Sequence, residues 1–133
     1  MQAVRSRITR ALPVGTFIDT CDNSGAKKLK IFGVKQVKTR KGRRPSAGIA
    51  DMVMASVQRG RPDMRKKVVM AIIVRQKKEF RRADGVRIKF EDNAAIVVKD
   101  EKGNPQGSLI KGPIAKEVLE RWPLVSKLAN IVV

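Results

Sequence analysis

The residues best suited to chemistry in this chain are lysines and arginines, which occur in three clusters. Residues 1–82 hold 22 basic side chains against five acidic ones, whereas residues 83–133 hold eight against seven. The first cluster consists of Lys35, Lys38, Arg40, Lys41, Arg43 and Arg44. The second consists of Arg59, Arg61, Arg65, Lys66 and Lys67, and the third of Arg75, Lys77, Lys78, Arg81 and Arg82. Only Asp63 and Glu79 interrupt them, so phosphate binding is favoured over a merely solvated charged face.

This excess of positive charge limits the partners that the chain can attract. A net charge of +18 exceeds what solubility requires, and such a field draws in polyanions. Each Lys or Arg that meets a phosphate releases condensed counterions, and Arg can also bind two phosphate oxygens at once. Nucleic acid is therefore the favoured partner, and an acidic membrane surface is the alternative.

The apolar segments are too short for a membrane protein. The longest wholly apolar run, Val68–Val74, has seven residues, whereas a helix that spans a bilayer needs about 20. Residues 1–10 are basic, but no apolar stretch of signal-peptide length follows them. The single cysteine, Cys21, permits no internal disulfide, which suits a reducing cytoplasm. We therefore expect a cytoplasmic protein with no membrane partner.

The few aromatic residues indicate how nucleic acid would be bound. Proteins that bind single strands without sequence preference stack bases on exposed aromatic rings. Phe17, Phe32 and Phe90 lie among apolar strand residues and are predicted to belong to the core. Phe80 lies in a basic segment, where local packing is favoured over base stacking. Recognition of folded RNA through its shape and backbone is thus the better fit.

Catalytic chemistry finds little support in the sequence. The chain has no histidine, which excludes a histidine acid/base pair and a Cys/His zinc cluster. Asp84, Glu91 and Asp92 could form a metal-dependent nuclease site, although a turn and a strand end explain them better. Cys21 lacks an activating base and is more typical of a core residue. We expect no enzyme activity, no metal, no cofactor and no small-molecule substrate.

Short strands separated by turns must position the basic clusters. In Lys28–Phe32, charged and apolar residues alternate until Phe32 closes the pattern, as in a strand with one buried face. Five of the seven residues in Val68–Val74 are β-branched, which is typical of a strand buried on both faces. Further strands are predicted at residues 16–21, 52–57 and 95–98. Turns are predicted at Asp22–Gly25 and Arg59–Pro62 from their composition.

The hairpin and the helical region come later in the chain. Asp84-Gly85 is a strong hairpin signal, and Val86–Phe90 alternates as the returning strand. Pro113 can occupy the first turn of a helix, apolar residues then recur at helical spacing to Trp122, and Pro123 ends that helix. Trp122 is predicted to anchor this helix to the strands, and one or two further helical turns are predicted around Val125, Leu128 and Ala129.

Together these elements predict a mainly β protein, a small closed barrel of five or six strands with basic loops and one or two short C-terminal α-helices. We divide the single domain into an extended arm at residues 1–12, the β-barrel at 13–110 and a C-terminal helical segment at 111–133. Three functions remain open from the residues alone: a non-catalytic RNA-binding protein, a free RNA chaperone that binds single strands, and a metal-dependent nuclease.

The order of segments resembles the universal large-subunit ribosomal protein family L-fourteen, over about residues 12–133. The resembling segments are Asp22–Ala26, Ala71–Val74, Asp84-Gly85, Phe90, Asn93–Ala95 and Gly112–Glu117. The one small departure is Ile96, where valine is usual. Leu12–Gly15 and Glu120–Pro123 are similar to the archaeal and eukaryotic branch, with the archaeal side preferred.

This resemblance implies a five-stranded barrel on large-subunit ribosomal RNA near the subunit interface. It also implies a bridge to small-subunit ribosomal RNA and contacts with neighbouring large-subunit ribosomal proteins. An anti-association initiation factor is expected to bind around Ser108, Lys111 and Lys116 and the following helix. The nearly neutral final third of the chain is consistent with protein partners there.

Overall fold

The computed structural model describes all 133 residues and contains eleven strands, one α-helix and one 3-10 helix. In chain order the strands are β1 Leu12–Pro13, β2 Phe17–Thr20, β3 Ala26–Val34, β4 Ser46–Ala47, β5 Met52–Gly60, β6 Val68–Arg75, β7 Phe80–Arg81, β8 Arg87–Ile88, β9 Ala94–Val98, β10 Pro113–Ile114 and β11 Ile131–Val132. Helix α1 is Lys116–Arg121, and the 3-10 helix is Pro123–Lys127.

Five of the strands close into a barrel in the order β2-β3-β5-β6-β9. All neighbours are antiparallel except β2 and β9, which run parallel where the barrel closes. The predicted five-stranded barrel is therefore confirmed. Closure leaves no free edge on any of the five strands, so their backbone groups are paired within the domain.

Alternation along the strands places the core inside this barrel. On β3, Leu29 and Ile31 are fully buried, and Lys30 between them faces outward. The continuous apolar run predicted to be buried on both faces forms β6, in which Ala71–Val74 are completely buried. Strand β9, which pairs with β2 and β6, is buried along its whole length. The core therefore rests on β-branched side chains, which suit a pleated surface.

The predicted hairpin is present, although its strands are short. Asp84 Oδ1 accepts a hydrogen bond from the Val86 amide at 3.0 Å, and Gly85 adopts a φ of 90°. The Arg82 amide donates to the Val86 carbonyl at 2.9 Å, which closes the turn. Only Arg87–Ile88 of the predicted returning strand pairs with β7. Asp84 therefore serves the turn, as the sequence predicted.

The C-terminal segment differs from the prediction at its start. Pro113 does not begin the helix but lies in β10, which pairs in parallel with β11 at the chain's last residues. The Val133 amide donates to the Ile114 carbonyl at 2.9 Å, and the Lys116 amide donates to the Val133 carbonyl at 3.0 Å. Helix α1 therefore starts at Lys116, because the backbone before it is held extended by this pairing.

Trp122 anchors the helical segment to the barrel, as predicted. Its ring is buried, and Nε1 donates a hydrogen bond to the Ala50 carbonyl at 2.7 Å. The helical continuation, Pro123–Lys127, is a 3-10 helix rather than an α-helix. No helix in the structure has the length and apolar character needed to cross a membrane.

The N-terminal residues lie against the barrel without regular structure before β1. Val4 and Ile8 are partly buried against the core. Gln76 Nε2 donates to the Thr9 carbonyl at 3.1 Å, and the Gln2 amide donates to the Arg121 carbonyl at 3.1 Å. Backbone and side-chain contacts thus hold this segment at both of its ends.

The phenylalanines are distributed differently from the prediction. Phe80 is buried, so its local packing is confirmed, and Phe90 is partly buried against the core. Phe17 and Phe32 were predicted to be core residues, and this is wrong, because 53% and 49% of their surfaces are exposed. Both lie at outward positions of their strands, on the face that carries Lys30.

Candidate nucleic-acid interface

The first basic cluster lies in the long connection between β3 and β5. Its tip is the tight turn Arg40–Arg43, closed by a hydrogen bond from the Arg43 amide to the Arg40 carbonyl. Lys41 and Gly42 both adopt positive φ, 58° and 70°, which is the geometry of a hairpin turn. Lys38, Arg40, Lys41, Arg43 and Arg44 are all exposed. The turn therefore presents a dense group of cations to the solvent.

Lys35 of the same cluster already has an acidic neighbour. Its Nζ lies 2.9 Å from Glu101 Oε1, and 36% of the Lys35 side chain and 74% of the Glu101 side chain are exposed. An ion pair this open contributes little to stability. Lys35 is therefore free to exchange this carboxylate for a phosphate.

The second cluster begins at the end of β5 and continues through the connection between β5 and β6. Arg59, Arg61, Arg65, Lys66 and Lys67 are exposed, and buried Met64 fastens the turn beneath them. The Arg61 amide donates to the Gly25 carbonyl at 2.9 Å, and its Nη2 donates to the Ser24 carbonyl at 3.2 Å. This connection is thereby held against the turn between β2 and β3.

The first two clusters lie at opposite ends of β5. That strand has nine residues, so roughly 25 Å of backbone separates them. A single phosphate or a small anion cannot reach both. The arrangement suits a long polyanion that follows the barrel.

The third cluster divides into exposed and buried members. Lys77, Lys78 and Arg81 are exposed around β7. Arg75 Nη1 donates to the Lys111 carbonyl at 3.0 Å, and its Nη2 donates to Asp92 Oδ2 at 3.1 Å. Since its side chain is also nearly buried, Arg75 is committed within the protein.

Arg82 is committed in the same way. Its Nε donates to Glu117 Oε1 at 2.7 Å, and the two side chains are only 9% and 3% exposed. It also donates through Nη2 to the Val133 carbonyl, so it ties the hairpin to α1 and to the chain end. Arg75 and Arg82 thus hold distant segments of the protein together, and we set them apart from the exposed candidates for RNA binding. Their charged partners lie well away in sequence, and cluster spacing gave no sign of them.

The alternative catalytic groups do not assemble into a site. No cluster of three or more acidic or cysteine side chains is placed to hold a metal ion. Asp92 pairs with Arg75, and Asp84 serves the hairpin turn. Burial raises the pKa of the Cys21 thiol to about 12, so this group stays protonated and is a poor nucleophile.

The predicted protein-partner residues lie on the segment from β9 to α1. Ser108, Lys111 and Lys116 are exposed. Asn23 holds the start of this segment, since Nδ2 donates to Ser108 Oγ at 2.9 Å and Oδ1 accepts from the Ser108 amide at 2.8 Å. Exposed Leu109 stands beside them. The segment is therefore a fixed surface rather than a loose loop.

Sequence reasoning missed the two exposed phenylalanines, although a signal was present. Phe32 is two residues after Lys30, and alternation places such residues on the same face of a strand. Phe17 pairs directly with Lys30 across β2 and β3. Lys30 Nζ lies 5.7 Å from the centroid of the Phe17 ring, within the range of a cation–π contact.

Comparison with known proteins connects this architecture to one family. Residues 11–133 match the family described as "Ribosomal protein L14p/L23e". The chain belongs to this family. It is 54% identical over 133 residues to the "Large ribosomal subunit protein uL14" of Nanoarchaeum equitans (strain Kin4-M), and the match covers 100% of both chains. It is 53% identical over 132 residues to the protein of the same name from Methanococcus vannielii, over 99% of each chain.

Membership of the family confirms the coarse functional predictions. Its members are structural components of the large ribosomal subunit and not enzymes, so the chain is a ribosomal constituent of the cytoplasm. The preference for an archaeal relationship is also confirmed, since the relatives named above are archaeal.

Proposed function

We propose that this ribosomal constituent binds large-subunit ribosomal RNA near the subunit interface through its exposed basic loops. The observation that carries the proposal is the placement of cations on connections at both ends of β5, with a compact barrel between them. Fourteen of the sixteen basic residues identified from the sequence remain after Arg75 and Arg82 are removed. These fourteen residues are Lys35, Lys38, Arg40, Lys41, Arg43, Arg44, Arg59, Arg61, Arg65, Lys66, Lys67, Lys77, Lys78 and Arg81.

The electrostatics favour a folded RNA backbone as the partner. Exposed cations on neighbouring loops repel one another, and phosphates that approach them relieve this repulsion while counterions are released. Strand β5 holds the two loops about 25 Å apart, so they can contact the backbone of one folded RNA at two separate places. Such a protein recognises the shape of the RNA. The binding energy is thus spread over many contacts.

The family relationship supports finer proposals about the surroundings. We infer that a basic loop also contacts small-subunit ribosomal RNA and so contributes to an intersubunit bridge, and that other parts touch neighbouring large-subunit ribosomal proteins. The surface around Ser108, Lys111 and Lys116 is proposed to bind an anti-association initiation factor. Exposed Leu109 and the exposed apolar chain end, Ile131–Val133, give that surface the apolar character of a protein interface.

The salt dependence of RNA binding tests the main proposal. Arg40, Arg43 and Arg44 are replaced together by alanine, and Lys41 is retained because its positive φ makes a change there harder to interpret. Three lost phosphate contacts should lower the slope of log K against log salt by about 2, since each contributes about 0.7–0.9. The measurement is binding of a large-subunit ribosomal RNA fragment at several salt concentrations.

A matched variant supplies the control. Lys99, Lys102 and Lys127 are also exposed but lie outside the three clusters, and replacing them removes the same charge. This control should leave the slope close to that of the unmodified protein. Equal slopes for the two triple variants would reject the first loop as an RNA contact.

The anti-association surface has its own test. Lys116→Glu should weaken binding of the factor to isolated large subunits without changing incorporation of the protein into them. Lys127→Glu, at an exposed lysine of the following 3-10 helix, is the matched charge reversal. Undiminished factor binding by the Lys116→Glu subunits would remove this residue from the proposed surface.

A further inference from the structure

The outer face of the barrel carries an open group of apolar side chains. The pairing places Phe17, Lys30, Ser56 and Val68 in one row across β2, β3, β5 and β6. Phe17 and Phe32 are about half exposed, and Val68 is also exposed. No segment of the chain covers these side chains. We call this surface the phenylalanine face.

Charge on the phenylalanine face is predominantly positive. Lys30 lies beside the Phe17 ring, and Lys28 stands two residues earlier on the same strand. The nearest acid is Asp19, whose carboxylate is 4.0 Å from the Lys28 ammonium. Arg59 of the second basic cluster is the register partner of Lys28 on β5. A negatively charged partner is therefore favoured on this face over an uncharged apolar surface of another protein.

We propose that the phenylalanine face binds unpaired nucleotides of RNA by stacking bases on Phe17 and Phe32. The inference rests on the proposed RNA-binding function and adds a second kind of contact to it. Unstacked bases have flat apolar faces that stack on exposed aromatic rings, and every base has such a face. Lys30 and Lys28 lie where they can neutralise the phosphates that join those bases.

The geometry supports contact with more than one base. Phe17 is opposite Lys30, and Phe32 lies two residues further along β3, at the point where the register between β3 and β5 shifts. Both rings are about half exposed, so each presents a face to the solvent. A strand that leaves the phenylalanine face past Lys28 meets Arg59, where the second basic cluster begins.

Binding of unpaired RNA by single-residue variants tests this proposal. The probes are a labelled unstructured ten-nucleotide RNA and a labelled RNA duplex, followed by fluorescence anisotropy with the full-length protein. Phe17→Ala and Phe32→Ala should each weaken binding of the unpaired RNA about fivefold or more, by analogy with the loss of one stacked base. Binding of the duplex should be unchanged.

Two further variants separate stacking from simple apolar contact. Phe17→Leu and Phe32→Leu keep an apolar side chain but remove the ring, and they should lose affinity as the alanine variants do. Val86→Ala is the matched control, because Val86 is an equally exposed apolar residue on the turn of the β7–β8 hairpin, outside the barrel sheet. Leucine variants that bind unpaired RNA as well as the unmodified protein would overturn the proposal and identify an apolar docking face for a protein.

Salt dependence distinguishes this inference from the proposed function. Loss of stacking should lower affinity at every salt concentration and leave the slope of log K against log salt unchanged, whereas loss of basic residues lowers the slope. A parallel loss of affinity for duplex and unpaired RNA would also overturn the stacking proposal. That result would not decide whether the basic loops bind RNA, because the salt dependence of the loop variants tests that proposal separately.

A measurement on intact large subunits covers the case in which a variant fails to fold. Ultraviolet irradiation should give nucleotide adducts on the peptide that spans residues 16–33. Adducts found on the basic loops but not on this peptide would count decisively against stacking.

Discussion

The buried ion pair between Arg82 and Glu117 allows a quantitative test of how the barrel and the C-terminal segment are joined. Arg82 Nε donates to one carboxylate oxygen at 2.7 Å and Nη2 donates to the other at 3.3 Å, so the pair is bidentate. The two side chains are almost completely buried. Removing one partner leaves the other as an uncompensated buried charge, which costs about 3–5 kcal/mol.

We therefore expect Glu117→Leu to lower the free energy of unfolding by about 3–5 kcal/mol. The total free energy of unfolding of a domain is only about 5–15 kcal/mol, so the expected loss is a large part of it. The double variant Arg82→Met with Glu117→Leu removes both charges and keeps apolar volume. It should recover most of the loss, because apolar pairs often replace buried ion pairs with little cost.

Urea unfolding followed by Trp122 fluorescence measures these differences. The control is Glu101→Ala, which breaks the exposed pair with Lys35 and should cost less than about 1 kcal/mol. The reasoning is refuted if Glu117→Leu costs no more than Glu101→Ala, or if the double variant is less stable than the single one. The first of these outcomes would also reopen Arg82 as a ligand for RNA.

Two further predictions concern packing and reactivity. Gly103→Ala should destabilise the protein by about 1–3 kcal/mol more than Gly85→Ala in the same urea assay. Both glycines have a φ of 90°, but a Cβ at Gly103 would lie 2.7 Å from Trp122 Cε3, whereas at Gly85 the nearest atom is 3.9 Å away. Equal losses would show that backbone strain alone matters. Because burial raises the pKa of the Cys21 thiol to about 12, the native protein should not react with a thiol reagent at pH 8, and the urea-unfolded protein should react fully. Rapid reaction of the native protein would contradict the buried placement of Cys21.

Short-range patterns were enough to predict the five strands that form the barrel. The alternation at Lys28–Phe32 and the β-branched run Val68–Val74 both became barrel strands, since burial of one or both faces imposes those patterns. Asp84-Gly85 became a hairpin turn because its local chemistry is sufficient for one. The charge excess and the spacing of the family's segments likewise require no knowledge of tertiary contacts.

The C-terminal strand pairing shows where local patterns fail. Pro113 fits the first turn of a helix as well as it fits a strand, and residues 131–133, which come much later in the chain, decide between them by pairing with it. Trp122 was predictable as an anchor because a large apolar ring at helical spacing needs burial. Its hydrogen-bond partner, the Ala50 carbonyl, was not, since it belongs to a distant connection.

The sequence by itself determined the class of fold, the family and the concentration of positive charge in the first two-thirds of the chain. Only the tertiary structure decided which cations remain available: Arg75 and Arg82 meet carboxylates and carbonyls brought to them from distant segments, while their neighbours stay in solvent. It likewise decided that Phe17 and Phe32 face outward. The physical reason is that periodicity reports which residues share a face, whereas contacts between segments distant in sequence determine what covers that face.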